Sequence, residues 1–282
     1  MEEKKISVQY ILALKGKRKI TMLTAYDYPL ASLVDRAGID MILVGDSLAN
    51  VVLGLDSTTK IGMSEMLHHA RAVSRAVSRA LVIGDMPFSA YQVNTDEAVK
   101  NARLFISDAK CDVVKLEWFD RCLDVTEKII QDGIQVMGHI GLTPQTADKL
   151  GGFKVQGKEA EAASRLIKQA EELEERGCFA IVLECVPDRV SGIITERLKI
   201  PTIGIGAGVN CDGQVLVIHD LLGLFERYTP KFVKKYINLS PMISRALEDY
   251  RNEVLEGKFP GQEHSFLIKE EELKKLIQSD EK

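Results

Sequence analysis

The sequence has no apolar stretch approaching the roughly 20 residues that cross a bilayer, so no segment reads as membrane-spanning. Its start, MEEKKISVQYILALKGKRK, places charges before only a short apolar patch and lacks a secretory pattern. An excess of one charge is also missing. With 37 basic and 41 acidic residues the net charge is -4, which gives no reason to expect nucleic acid or an anionic membrane as partner. Paired cysteine motifs are absent. Cys111, Cys122, Cys178, Cys185 and Cys211 form an odd set with no CxxC, which argues against a disulfide framework or a zinc site. Reduced thiols of this kind fit a cytoplasmic protein. Cys185 stands beside Glu184 and is either a reactive thiol or a buried structural one. Neither HExxH nor a His/Cys cluster occurs among His68, His69, His139, His219 and His264, so zinc chemistry has no support. No proline- or serine-rich linker divides the 282 residues, and the chain reads as one domain over 1–282, with a charged tail at 267–282.

What is present is an alternation. Short β-rich runs (ITMLTAYD, MILVGD, LVIGDMP, VVKLEW, QVMGHIG, AIVLECVP, TIGIGAG and VLVIHD) are separated by amphipathic helical stretches. The segment from Glu159 shows the helical period at Ala163, Leu166, Ile167, Ala170 and Leu173, and Gly177 ends it. Strands alternating with helices imply βαβ units and a parallel sheet. Eight such runs are the number a (β/α)8 TIM barrel needs, with a doubly wound open sheet as the alternative. Beyond the eighth run, SPMISRALEDYRNEVLEG and KEEELKKLIQSDEK predict extra C-terminal helices. Gly204-Ile205-Gly206-Ala207-Gly208 has GxGxG spacing and leads into another strand, unlike the GxGxxG turn of a dinucleotide site. It predicts a tight loop.

The run MILVGDS stops abruptly on Asp46-Ser47, and the same happens on other strands. Asp27, Asp85, Lys115, Glu117, His139, Glu184 and His219-Asp220 all fall at or near strand ends. Any one acid could cap the following helix. Their recurrence favours convergence on the carboxyl face of a barrel, where active sites are built. Asp46, Asp85 and Glu117 would repel one another in a dry pocket without a cation, and oxygen-only ligands favour Mg2+. Glu184, flanked by Leu183, Cys185 and Val186, reads as a desolvated acid suited to proton transfer. Lys115 lies on the same strand face as Glu117 and either pairs with it or presents a cation to an anionic substrate. Metal, lysine and glutamate together suit enolisation of a 2-oxo acid.

The ordered motifs VGDSLANVVLGLDST, GDMPFSAY, VKLE, GHIGLTPQ, GGFKVQGK, LECVP, IPTIGIGAG, DGQVLVIHD and FPGQEHSF resemble the ketopantoate (3-methyl-2-oxobutanoate) hydroxymethyltransferase family over residues 20–266. The resemblance implies a TIM barrel related to the phosphoenolpyruvate/pyruvate-handling barrels. It also implies Mg2+, 5,10-methylenetetrahydrofolate as one-carbon donor, 3-methyl-2-oxobutanoate as acceptor, a step toward pantothenate and coenzyme A, and a homo-oligomer, often a decamer. By motif position Asp46, Asp85 and Glu117 match the family's metal-binding acids. Asp46, Ser47, Asp85 and Lys115 match its substrate contacts, His139 a residue near the substrate, and Glu184 its proton acceptor. The chain departs from the family at Trp118-Phe119, where two glycines are usual, and at residues 59–62. A Mg-dependent 2-oxo acid lyase and a catalytically silent binding barrel are the alternative readings; loss of a site acid would favour the second, and none is lost.

Overall fold

The computed structural model describes residues 4–146 and 154–279; residues 151–153 of the GGFKVQGK motif and the last three of the tail lie outside the described residues. Helix α1 (Val8–Leu14) is followed by β1 (Ile20–Thr24), α2 (Tyr28–Arg36), β2 (Met41–Val44), α3 (Leu48–Val51), α4 (Met63–Ala76) and β3 (Leu81–Asp85). Next come α5 (Thr95–Ser107), β4 (Val113–Glu117), α6 (Cys122–Gln131), β5 (Val136–Gly141), α7 (Ala160–Glu175), β6 (Ala180–Glu184), α8 (Asp188–Arg197) and β7 (Thr202–Ile205). The chain ends with β8 (Gly213–Leu216), α9 (Ile218–Leu221), α10 (Ser240–Leu255) and α11 (Glu270–Ser279). The eight strands pair in sequence order, all parallel, and β8 returns to β1 to close a barrel. This is the expected (β/α)8 fold, and the open-sheet alternative falls away. No helix among the described residues is long and apolar enough to cross a membrane.

Closure is possible because most strands are apolar on both faces, as strands covered by helices must be. Leu81 and Ile83 of β3 join an inner cluster with Met22, Met41, Val113 and Met137, whereas Val82, Val114 and Leu116 join the outer layer under the helices. Val8, Ile11 and Leu14 of α1 enter the inner cluster and plug the barrel's amino-terminal end. The plug helix starts at Ser7, whose hydroxyl accepts from the Tyr10 N–H. At Gly84 a Cβ would meet the Phe105 ring at 2.3 Å, so glycine there lets α5 seat against β3. Side chains alternate along a strand, so the inward file of Ile83, Val113, Met137 and Val182 continues to Asp85, Lys115 and Glu117, His139 and Glu184.

The opposite end carries acids of a different kind. Asp40, just before β2, accepts from the Thr21 N–H and hydroxyl at 3.0 Å each and from both terminal nitrogens of Arg18 at 2.8 Å. Asp112 accepts from Val82 N–H (2.7 Å) and pairs with Lys5 (2.9 Å); Asp212 accepts from Thr202 N–H (3.0 Å) and pairs with Lys15 (2.6 Å). Each acid staples its strand to the preceding one at the point where the ladder would otherwise begin with an unpaired N–H.

Several expectations are corrected. Asp27 is an exposed cap of α2 that accepts from the Leu30 N–H, so at that strand end the capping explanation wins. The eighth strand starts two residues earlier than Val215, because only a glycine at 213 fits: a Cβ there would lie 2.6 Å from the Ile20 carbonyl. His219 and Asp220 therefore ride on α9 and are not strand-end residues. The helix begun at Met63 stops at Ala76, since residues 78–80 turn to give their N–H groups to Asp35. The segment after Asp46 contains α3, and neither Asp46 nor Ser47 caps it with its side chain. Cys111, Cys122, Cys178 and Cys211 are buried and Cys185 half-buried, all unpaired. Burial, with the Glu184 charge, pushes the Cys185 thiol up to about 12, which removes the reactive-thiolate reading.

Replacing Asp40 with alanine frees buried donors and should cost about 2–4 kcal/mol in urea unfolding. Burial acts to raise the Asp40 carboxyl, but Arg18 and Thr21 outweigh it and hold it below its ordinary value. A depressed carboxyl contributes stability above its unfolded value and loses it as pH falls through the folded one. The gap between parent and variant should therefore be constant above about pH 5 and shrink below about pH 4.

Candidate active site

The strand carboxyl ends bring Asp46, Asp85, Lys115, Glu117, His139 and Glu184 together at one mouth of the barrel. Asp46 lies two residues past β2, and its backbone N–H donates to Asp85 Oδ2 at 3.0 Å. Lys115 Nζ donates to Asp85 Oδ1 at 2.7 Å and lies 4.0 Å from Glu117 Oε1. Lys115 thus pairs first with the neighbouring strand's acid and only loosely with the glutamate on its own strand. The adjacent β5 contributes His139, whose Nδ1 is 3.4 Å from Glu117 Oε1 and whose Nε2 is 3.3 Å from Glu184 Oε2. Glu117, His139 and Glu184 form a file across β4, β5 and β6. Neither imidazole nitrogen, nor Glu117 Oε1, makes a well-aligned hydrogen bond despite burial. Polar atoms buried without partners are rare and mark a site awaiting another group.

Burial pushes the Asp85 carboxyl up to about 7; Lys115 opposes this, while the Asp46 and Glu117 charges add to it. For Lys115 burial acts to lower the ammonium, but Asp85, Glu117 and Asp46 outweigh it, and the side chain stays charged. Burial and Lys115 both press His139 toward neutrality, yet Glu117 and Glu184 hold it at about 9, an imidazolium at neutral pH. The mouth therefore holds more negative than positive groups. A bound cation or an electrophilic substrate centre would relieve that imbalance.

Glu184 is less enclosed than its apolar sequence neighbours suggested. Its side chain is 15% exposed at the rim, and its carboxylate meets an imidazole in place of a greasy wall. Two backbone features place it. Gly141 has φ +96° and no room for a Cβ, which would lie 2.3 Å from the Glu184 carbonyl; that close approach lets the Leu142 N–H donate to the carbonyl at 2.8 Å. Cys185 takes φ +49°, a left-handed conformation that costs a non-glycine residue roughly 1–2 kcal/mol. Ser47, half-buried, shares a 2.8 Å hydrogen bond with the buried Tyr26 hydroxyl.

Two residues escaped the sequence reading. Gln145, in the turn after β5, donates from Nε2 to Asp46 Oδ2 (2.9 Å), and its backbone N–H donates to Glu117 Oε2 (2.9 Å). The Tyr91 hydroxyl in turn donates to Gln145 Oε1. Amides and phenols carry no charge pattern, and only the run GHIGLTPQ hinted at Gln145. Conversely, His68 is exposed, and His69 binds the Tyr26 carbonyl at 2.7 Å. The His219 ring lies tilted against Tyr26, centroids 5.4 Å apart, with a buried, unpartnered Nδ1.

Among the described residues no three acidic, histidine or cysteine side chains close into a ready-made metal cage. The donor set still fits a hard divalent ion. Asp46 Oδ1 and Glu117 Oε1 accept no hydrogen bond, and Asp85 retains unused lone pairs beside Lys115. Mg2+ commonly takes one or two carboxylates and completes its shell with water and substrate.

Comparison with known proteins bears on what such a mouth does. Residues 5–262 match the family described as ketopantoate hydroxymethyltransferase. A 3-methyl-2-oxobutanoate hydroxymethyltransferase of Syntrophobacter fumaroxidans is 56% identical over 278 residues, covering 99% of each chain. One from Syntrophomonas wolfei is 55% identical over 262 residues, covering 93% of this chain and 95% of the relative. Among solved structures, a phosphonopyruvate hydrolase superposes with TM-score 0.61 at 14% identity, covering 98% of this chain and 96% of that one. A 2,3-dimethylmalate lyase, a PEP mutase/isocitrate lyase superfamily member, gives 0.57 at 13%, covering 97% and 95%. These two show the shared barrel.

The buried pair can be tested by stability alone. Lys115→Met leaves Asp85 uncompensated and should destabilise the fold by about 3–5 kcal/mol at pH 8; adding Asp85→Asn should recover most of that. Without Lys115 the Asp85 carboxyl rises further, so the folded single variant holds a proton that the unfolded chain releases. Its stability should fall as pH rises from about 5 to 9. Chemical denaturation of the two variants measures both effects.

Proposed function

The chain belongs to the ketopantoate hydroxymethyltransferase family, and from that premise we propose that it transfers a hydroxymethyl group from 5,10-methylenetetrahydrofolate to 3-methyl-2-oxobutanoate. The products are ketopantoate and tetrahydrofolate, with water consumed, and the step feeds pantothenate and coenzyme A synthesis. The observation that carries the reading is the buried Lys115 among carboxylates, joined through His139 to Glu184 at the barrel rim.

Asp46, Asp85 and Glu117 would hold Mg2+, which when bound withdraws charge from the 2-oxo group and acidifies the neighbouring C3–H. Lys115 offers a fixed cation to the substrate carboxylate, and Ser47, oriented by Tyr26, offers a hydroxyl. Glu184 takes the C3 proton. Its carboxylate suits that role because it stands at the rim, 15% exposed, with His139 Nε2 3.3 Å from Oε2 to orient it. Loss of the proton leaves C3 nucleophilic. The C3–CH2 bond forms and both methylene–nitrogen bonds of the folate break; water supplies the hydroxyl group and its other proton goes to one folate nitrogen, the second nitrogen taking the proton that left C3. Glu184 then returns the proton to a folate nitrogen, while His139, backed by Glu117, keeps its carboxylate in place.

The surroundings suit a cytoplasmic homo-oligomer with small-molecule substrates. The five thiols are unpaired, and none of the sixteen α10 residues is buried although Met242, Ile243, Leu247, Tyr250 and Leu255 are large and apolar. A face of that kind is suited to covering by a second copy.

The direct test is ketopantoate formation from 3-methyl-2-oxobutanoate and methylenetetrahydrofolate with and without Mg2+. Product is expected only when all three are present. Folded protein that forms none, or that cleaves a 2-oxo acid without folate, removes the proposal.

A further inference from the structure

Gln145 touches more of the site than any of its neighbours, yet it bears no charge and no acid–base chemistry. Its side-chain orientation is forced. Nε2 faces two acceptors, Asp46 Oδ2 at 2.9 Å and the Met86 carbonyl at 3.1 Å, while Oε1 receives the Tyr91 hydroxyl. Rotating the amide would set its oxygen against two acceptors and its NH2 against the phenol's donated proton. Both Gln145 and Tyr91 are buried, so water cannot substitute for a lost partner.

The anchor beneath this bond is rigid. The Tyr91 ring packs against Phe119 at 5.2 Å and Phe88 at 5.8 Å, both edge-on. The turn carrying Gln145 is tied by the Thr143–Thr146 hydroxyl bond at 2.6 Å and by Thr146 N–H to the Thr143 carbonyl at 2.9 Å.

We propose that Gln145 is a positioning residue: its amide fixes Asp46 and its backbone N–H fixes Glu117, each by one oxygen, so that the other oxygen of each acid faces the reaction space. The inference builds on the function proposed above. Asp46 Oδ2 and Glu117 Oε2 are taken by Gln145. The oxygens left over are Asp46 Oδ1 and Glu117 Oε1, the latter buried without a hydrogen bond. One residue thus selects the available oxygen on acids from two different strands, β2 and β4. It does so from the turn after β5. Outer partners of metal-binding carboxylates typically change affinity or activity by about 10–100-fold when removed.

The test uses Gln145→Met, which keeps volume and removes the amide, and Gln145→Glu, which keeps size and the Tyr91 partner but lacks the donor to Asp46. Crystal structures of both variants without metal should show the Asp46 carboxylate rotated from its parental position. Calorimetric titration with Mg2+ alone should give roughly 10–100-fold weaker binding. In turnover, kcat should fall by a similar factor while KM for methylenetetrahydrofolate stays at the parental value. If Gln145→Met fails to fold, Gln145→Glu decides. An Asp46 carboxylate unmoved, with parental Mg2+ affinity and kcat, overturns the proposal. A parent that makes no ketopantoate overturns the functional reading instead, and the carboxylate positions in the metal-free variants still decide the role of Gln145.

Discussion

A lysine ammonium buried to 3% exposure in a barrel mouth is the constraint on which the rest of the site depends. Alone it would lose its proton or unfold the strand that carries it. It persists because Asp85 meets it at 2.7 Å from the next strand and Glu117 stands 4.0 Å away. At an effective dielectric of about 20, an opposite charge at 4 Å is worth roughly 4 kcal/mol, which makes the arrangement tolerable but not comfortable. The excess of carboxylates over cations follows from the same balance. Enough negative charge must be present to hold Lys115, and the surplus leaves the site receptive to a further cation.

The two ends of the barrel use the same residue types in opposite ways. At the amino end, both Asp40 oxygens are taken by Thr21 and Arg18, and Asp212 Oδ2 by Thr202 and Lys15. They join strands. At the carboxyl end, oxygens of Asp46 and Glu117 remain open, and His139 lies between two glutamates with neither nitrogen well bonded. The acids at the amino end tie strands together; those at the mouth are the ones we propose for chemistry. The α1 plug belongs to this division, since it seals the amino end with Val8, Ile11 and Leu14 and leaves the other mouth open.

The barrel was legible because strands buried on both faces leave continuous aliphatic runs, and these ended on charges spaced by two residues. That spacing put Lys115 and Glu117 on one face, and the structure places both inward. Single positions were harder. Asp27 resembled Asp46 in sequence, yet one caps a helix and the other enters the mouth, because the difference lies in where each loop turns. The start of β8 was hidden in Gly213, whose role is steric and invisible without the Ile20 carbonyl beside it. Glu184 was placed at the right strand end, but its partner comes from another strand, and local sequence suggested an apolar wall. Gln145 was the deepest omission, because its function rests on four bonds to residues distant in the chain.

The central claim is that this mouth enolises a 2-oxo acid, with Glu184 moving the proton. Exchange of the C3 hydrogen of 3-methyl-2-oxobutanoate for deuterium in heavy water, followed by proton NMR without folate, isolates that step. The parent with Mg2+ should catalyse exchange, and Glu184→Gln, folded and still binding Mg2+, should slow it by about 10²–10⁴-fold. Exchange at the parental rate in the variant would contradict the account.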